Sequence, residues 1–208
     1  MIKGIDISMH NWDYLSWQGF RPLVDREKFV IMKATEGATY KDPRVDTYYN
    51  IIHESGDGRP DPGRLYGFYH FARPDNCNLP RAEAANFLRV VGHHAGHAIY
   101  ALDVEDKALR LSPEALDDWV DEWAEYVIDH TGVKPLIYCS ASVTGRFPSA
   151  AGRSCGLWVA SWGKKPTKSD IKPWKLWAIW QDSTSSGMLD TNLFNGTPEQ
   201  FRKYCRKL

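Results

Sequence analysis

"IYALDVED", residues 99–106, is a short apolar run that ends in two carboxylates, Asp103 and Glu105, at alternate positions. Its length and apolar character are those of a buried strand. Side chains alternate along a strand, so the two acids share one side while Leu102 and Val104 take the other. In a parallel barrel that phase turns the apolar pair toward the surrounding helices. Both acids then face the lumen near the strand's C-terminal end, where barrel enzymes keep their chemistry.

Runs of the same kind lie on either side: "IKGIDIS" at 2–8, "KFVIMKA" at 28–34, "LYGFYHFA" at 65–72 and "KPLIYCS" at 134–140. Helix-like segments separate them. "DPRVDTYYNIIHES" has Pro43 near its first turn, "LPRAEAANFLRVV" follows, and "SPEALDDWVDEWAEYVIDHTG" pairs a Ser112 cap with Leu116, Trp119, Val120, Trp123 and Val127 at helical spacing, ending at Gly132. Strand then helix, repeated, means parallel strands with right-handed crossovers. After residue 155 the rhythm changes: "LWVASW", "LWAIWQ" and "MLDTNLF" leave little room for helices before a closing helix at 198–206. Eight strands, with helices mainly in the first five units, predict a modified TIM-like α/β barrel; a doubly wound open sheet is the alternative. Neither GxGxxG nor GxxxxGK[ST] follows any strand, which weakens a nucleotide-binding reading.

The 208 residues, 43% of them hydrophobic, suit one globular domain with one sizeable core. Lys plus Arg and Asp plus Glu number 26 each, so nothing argues for a nucleic-acid partner. No segment approaches a membrane span, and residues 1–20 lack a basic start followed by an apolar stretch, so the expectation is a chain made in the cytoplasm without a visible signal peptide. Cys77, Cys139, Cys155 and Cys205 show no CxxC spacing; free or buried thiols are the default, although Cys139 and Cys155 flank a loop and are candidates to meet.

Two further acids strengthen the reading of Asp103 and Glu105. Asp6 ends the first apolar run as Asp103 ends its own, and Asp190 lies in the last strand-like segment. First and last strands of a closed barrel are neighbours, which brings Asp6 and Asp190 toward a central strand's acids. A helix cap for Asp6 and a turn position for Asp190 are the structural alternatives. Glu36, next to Gly37, reads equally as a loop-shaping residue, and Lys33 as a substrate-binding residue or as a partner for one of these acids. Aromatic residues make up 13% of the chain, and flat rings pack on sugar faces as well as in cores. Candidates to line a cleft are Tyr66, Tyr69 and Phe71 in one strand, Tyr138 at the end of another, and Trp162 and Trp180 near late strand ends.

With these motifs assembled, the chain resembles the lysozymes of glycoside hydrolase family 25, the Chalaropsis-type muramidases common among phage endolysins. "GIDIS" with the following "HN", "FVIMKATEG", "YGFYHFARP", "ALDVED", "PLIYCSAS", "LWVASW", "WAIWQDSTSSG" and "LDTNLFNG" fall in that family's order and span nearly the whole chain. The resemblance implies a flattened (β/α)5(β)3 barrel and hydrolysis of the β-1,4 bond between N-acetylmuramic acid and N-acetylglucosamine in bacterial peptidoglycan, without a cofactor or metal. It places the family's acids on Asp103, Glu105, Asp6 and Asp190, with Glu105 as general acid. It also implies a single catalytic domain over 1–208 with no wall-binding repeats, an expected monomer that reaches the wall after release from the cytoplasm. Two departures stand out: Asp182 follows Trp180 and Gln181 where family members often carry an aromatic residue, and the loop from 183 to 189 is short.

A glycosidase needs one protonated and one ionised carboxyl, and clustered anions hold a proton on one member near neutrality. Asp103 either supports attack by the substrate's own acetamido oxygen or attacks directly; strand spacing does not decide between them. Two rival functions have sequence support. "HHAGH" at 93–97 offers His93, His94 and His97 as metal ligands for a hydrolase, against a helix-capping and surface-turn role. A non-catalytic wall-binding module predicts missing acids, and all four are present. The run "GKKPTKSDIKPWK" reads as a solvated loop or as a contact for anionic wall polymers.

Overall fold

The computed structural model describes residues 1–54, 63–185 and 189–208, with the side chains of all of these except 13–18 and 184–185. The chain runs β1 (Ile2–Ile7), α1 (Met9–Arg26), β2 (Phe29–Glu36), β3 (Tyr40–Lys41), α2 (Val45–His53), β4 (Leu65–Phe71), α3 (Pro80–Val91), β5 (Ile99–Asp103), α4 (Pro113–Thr131), β6 (Leu136–Ser140), α5 (Pro148–Gly152), β7 (Gly156–Ala160), β8 (Ile179–Ser185), β9 (Leu189–Phe194) and α6 (Pro198–Cys205). The sheet order β1-β9-β8-β7-β6-β5-β4-β2 closes on itself through β1–β2 pairing, with the two-residue β3 added outside β2. Neighbours are parallel from β1 through β2 and β4 to β8, whereas β9 is antiparallel to both β8 and β1. Helices follow the first five barrel strands, and among the described residues none separates β7, β8 and β9. This is the modified TIM-like barrel, and the open-sheet alternative falls because β1 and β2 pair.

Strand alternation splits the core into two layers. Phe29, Ile31, Leu65, Ile99, Leu136 and Trp158 fill the lumen. Val30, Met32, Phe68, Leu102, Ile137 and Val159 face the helices. The lumen is narrow at its N-terminal end: a Cβ on Gly4 would lie 2.5 Å from the Phe29 carbonyl oxygen, so only glycine fits there. Helix α6 stoppers that end, with the Phe201 ring 5.3 Å from Phe29 and 5.2 Å from Phe194. The opposite, C-terminal end stays open.

Helix α4 follows its sequence signals closely: Ser112 Oγ accepts from the Ala115 N–H, Pro113 occupies the first turn, and Gly132 ends the helix at φ 72. Its apolar stripe, including fully buried Trp123, packs on the barrel. Helix α1 carried no such stripe and was not among the expected helices, because Gly19 and Pro22 interrupt it. A capping box between Ser8 and Asn11 starts it, and buried Phe20 and Val24 hold it to the core. All four cysteines are free thiols; Cys139 and Cys155 are both buried and do not bond to each other. Among the described residues no helix is long and apolar enough to cross a membrane.

Candidate active site

Strand β5 delivers its acids as its phase requires. Leu102 and Val104 enter the helix-facing core, and the Val104 N–H donates to the Tyr138 carbonyl at 3.0 Å, continuing the ladder one residue past β5. Glu105 is still extended (φ -147, ψ -171), so its side chain falls on the same side as that of Asp103, one step nearer the mouth. Asp106 then turns the chain away at φ 50, a left-handed conformation that Asp tolerates better than most residues. Asp103 is only 7% exposed, whereas Glu105 is half-buried at the rim.

Asp6 and Asp190 sit directly opposite each other across the antiparallel β1–β9 pair. Opposed side chains share a face, and like charges there repel. Burial, then Asp190, push the Asp6 carboxyl up to about 7, against the opposing hydrogen bonds from Asn192 and Gln181. Burial and then Glu105 raise Asp103 well above the usual carboxylate range, with the Lys33 ammonium opposing. Glu105 is raised by burial, Asp106 and Asp190, and Asp190 by burial. Four acids so placed do not all ionise near neutrality, and they titrate as a set. The cluster therefore keeps a transferable proton, the property a general acid needs.

An amide network holds Asp6. Gln181 Nε2 and Asn192 Nδ2 both donate to Asp6 Oδ2, at 3.0 and 2.7 Å. Gln181 Oε1 in turn accepts from the Tyr138 hydroxyl (2.9 Å) and the Trp162 indole (3.3 Å), while the Trp158 indole donates to Asn192 Oδ1 (2.8 Å). Sequence reasoning missed Gln181, Asn192 and Trp158. The available signal was phase, since Asn192 lies two residues from Asp190 on the same face of β9.

On the other side of the lumen stands Lys33, 7% exposed, its Nζ 2.7 Å from Glu36 Oε2 and over the Phe71 ring at 4.6 Å. Residues three apart in a regular strand face opposite ways. Here a register shift between Lys33 and Thr35 inserts one residue, so Lys33 pairs with Tyr69 and Glu36 with Phe71, both on the lumen face. Arg73 Nη1 holds the other Glu36 oxygen at 2.8 Å. Burial raises the Glu36 carboxyl, but hydrogen bonds and charge from Lys33 and Arg73 outweigh it and leave it below its ordinary value. Glu36 is thus an ionised bracket for Lys33. A groove of about 430 Å³ opens beside it, lined by Met9, His10, Lys33, Glu36, Tyr40 and Asn78 among others.

Lys33 is the cation that opposes the raised Asp103 and Glu105. In Lys33→Met both carboxyls hold their protons to higher pH, so the acidic limb of the pH–activity profile moves upward. Initial rates measured between pH 3 and 9 would show it, and an unmoved acidic limb would remove Lys33 from this role.

The remaining candidates divide by phase. Tyr69 and Tyr138 face the lumen beside the acids, whose charges add to burial in raising both phenols. Trp162 stands at the rim, 63% exposed. Tyr66 and Trp180 do not belong to the cleft. Tyr66 is three residues from Tyr69, hence out of phase, and its buried ring packs in the helix layer with its hydroxyl 3.3 Å from His94 Nδ1. Trp180 alternates with lumen-facing Gln181, and its indole donates to the Ser161 carbonyl at 2.8 Å, bracing the β7–β8 connection. Asp182 is tied to Thr191 Oγ1 at 2.8 Å rather than offering a surface to sugar. Of the short loop at 183–189, residues 186–188 lie outside the described residues. His93, His94 and His97 precede β5 and so occupy the barrel end opposite the acids; burial and the neighbouring imidazoles lower His94 to about 4. Among the described residues no three His, Cys, Asp or Glu side chains are grouped to hold a metal ion.

The family model for glycosyl hydrolases family 25 matches residues 5–190, a stretch that includes Asp6, Asp103, Glu105 and Asp190. The chain belongs to glycosyl hydrolases family 25. As a member of family 25 it is a glycoside hydrolase. Similar curated proteins include the uncharacterized protein YegX of Escherichia coli K12, 30% identical over 98% of this chain and 73% of YegX. Lysozyme M1 of Streptomyces globisporus is 30% identical over 94% of this chain and 68% of its own length. Among solved structures, a family 25 lysozyme from Aspergillus fumigatus superposes with a TM-score of 0.78 at 28% identity, covering 99% of both chains. The family 25 match reaches into β9 and ends at Asp190.

Proposed function

We propose that this protein is a lysozyme of the N-acetylmuramidase type, cleaving the β-1,4 bond between N-acetylmuramic acid and N-acetylglucosamine in peptidoglycan with retention. The observation that carries the reading is Asp103. Its Oδ1 is buried without a hydrogen-bond partner among the described residues, beside a Glu105 whose surroundings favour the protonated form. A buried carboxyl oxygen left unpaired is costly unless a ligand group meets it. The acetamido N–H of an N-acetylated sugar is such a group.

In this mechanism Glu105 gives its proton to the leaving glycosidic oxygen as that C–O bond breaks. Asp103 accepts from the acetamido N–H and stabilises the positive charge that develops as the acetamido oxygen attacks the anomeric carbon. Glu105, now ionised, takes a proton from the water that opens the cyclic intermediate, which restores the acid and retains configuration. Asp6 and Asp190 hold the cluster's proton in place, and Tyr69, Tyr138 and Trp162 present rings to the sugars. The biological setting is peptidoglycan breakdown and lysis of bacterial cells, by an enzyme made in the cytoplasm and released to the wall.

Mass spectrometry of products released from purified walls tests the bond cleaved, since new reducing ends on muramic acid mark a muramidase and ends on N-acetylglucosamine exclude it. A thiazoline analogue of the cyclised acetamido intermediate is expected to inhibit competitively. A glycosylated Asp103 found by intact-protein mass with a natural 2-acetamido substrate would replace this scheme with direct attack.

A further inference from the structure

We propose that the outer barrel wall between β7 and β8 binds an anionic, phosphodiester-linked wall polymer alongside the glycan being cut. The proposal takes its setting, a bacterial wall, from the muramidase reading, but the binding itself does not depend on it.

The connection from β7 to β8 holds Lys164, Lys165, Lys168, Lys172 and Lys175, all exposed, in a chain whose formal net charge is zero. The basic character is therefore local. The run's one acid, Asp170, is already engaged, its Oδ2 accepting from the Thr167 N–H at 2.8 Å and hydroxyl at 2.7 Å. None of the five lysines forms an ion pair among the described residues; Lys165 rests over the Trp177 ring at 5.8 Å. Facing them, residues 141–153 contain no acid, and behind that lip Arg146 is bonded to the Leu109 and Leu111 carbonyls at 2.9 and 2.6 Å rather than to a carboxylate. Between the two lips runs a cleft of about 700 Å³ with Lys168, Lys172 and Lys175 on its rim and Pro148, Pro173 and Trp174 in its wall.

The lysines are displayed by a fixed backbone. Pro166, Ile171, Trp174 and Trp177 alternate with them and are buried, the Trp174 indole donating to the Cys155 carbonyl at 2.8 Å and Thr144 Oγ1 to the Asp170 carbonyl at 3.1 Å. Little backbone ordering is left to offset on binding. The run also uses lysine throughout and no arginine. Planar, bidentate recognition of carboxylates is arginine's strength, whereas an array of compact point charges suits a repeating phosphate that can slide through many registers. The array starts beside Trp162, whose indole contacts Gln181 and through it Asp6, and runs down to the start of β8. A polymer held along it lies next to the open end of the barrel and raises the local concentration of wall at the acids.

The test compares the full chain, Lys168→Gln/Lys172→Gln/Lys175→Gln, and a charge-matched control, Lys3→Gln/Lys28→Gln/Lys203→Gln, for binding to poly(glycerol phosphate) by titration calorimetry. At about 0.1 M salt the strip variant is expected to bind roughly tenfold more weakly than the other two, a difference that vanishes near 1 M, where the screening length falls to about 3 Å. All three should cleave a soluble muropeptide oligomer equally. The strip variant alone should be slow on walls carrying the polymer and normal on walls stripped of it. Equal loss in both variants would reduce the effect to net charge, absence of binding by the parent chain would end the proposal, and slowness persisting on stripped walls would assign the strip to peptidoglycan carboxylates instead. Failure of the muramidase reading would show separately, as missing muramic-acid ends from the parent chain while the calorimetry still stands.

Discussion

Glu105→Gln is expected to lower turnover of peptidoglycan about 10³-fold, the scale of a lost general acid. The amide keeps the side chain's size at a half-buried rim position, so thermal unfolding and wall binding should change little. The decisive comparison uses a muramyl-type substrate whose leaving group is an acidic phenol. Such a leaving group departs without a proton, so the variant's deficit should shrink by at least tenfold on it. A merely structural role for Glu105 predicts the same deficit on both substrates. Near-normal lysis by a well-folded variant would take the acid role away from Glu105 altogether.

The second large effect concerns stability and lies away from the lumen. Glu83, on α3, and His70, on β4, are both 0% exposed, and His70 Nε2 is 2.8 Å from Glu83 Oε2. Glu83 also accepts from the Arg73 N–H at 3.0 Å and the Asn78 amide at 2.8 Å, while the Thr35 hydroxyl is 2.7 Å from the other imidazole nitrogen. Burial keeps the His70 imidazole below its ordinary pKa although Glu83 opposes this. His70 is therefore neutral at pH 7, a donor to Glu83 and an acceptor from Thr35. Glu83→Ala strands the buried His70 donor and removes the acceptor of two part-buried ones, and is expected to lower stability by about 3–5 kcal/mol, a fall in Tm on the order of 10 °C. Glu83→Gln, which retains an acceptor, should lose less. A depressed histidine pKa adds an acid sensitivity: the unfolded chain takes up this proton as pH falls below about 6.5 and the folded one resists it, so the pair's contribution fades in acid. Circular dichroism melts at pH 7.5 and 5.5 read both effects, and a Tm within 2 °C of the parent would refute the first. Because Arg73 also grips Glu36, the same variant is expected to weaken the bracket around Lys33.

Asp103 and Glu105 were legible because β5 and its extension stay regular through Glu105, and strict alternation predicts their side correctly. Lys33 and Glu36 defeat the same logic, since the inserted residue in β2 changes phase between them and no local pattern announces it. Tyr66 failed for the opposite reason: β4 is regular there, and a spacing of three should have sent Tyr66 outward. The amides around Asp6 carry no charge signature, and Glu83 on an amphipathic helix reads as a solvated acid until its burial is seen. Helix α1 depends on its cap and on tertiary packing more than on propensity, which Gly19 and Pro22 lower.

The antiparallel β9 is the stave that completes the barrel, and it has a consequence in time as well as space. The bonds that set Asp6 reach across 175 residues to Gln181 and 186 to Asn192, while Asp190 itself comes from that same last strand. During synthesis, which proceeds from the N-terminus, Asp6, Asp103 and Glu105 are all made before the strand that completes their surroundings exists. A growing chain therefore lacks a complete acid cluster until β9 has left the ribosome and docked between β1 and β8. Contacts this distant in sequence also form late and slowly in folding. An enzyme assembled in this order becomes competent in one step, at closure, and a chain cut short before β9, lacking Asp190 and Asn192, is expected to be inactive.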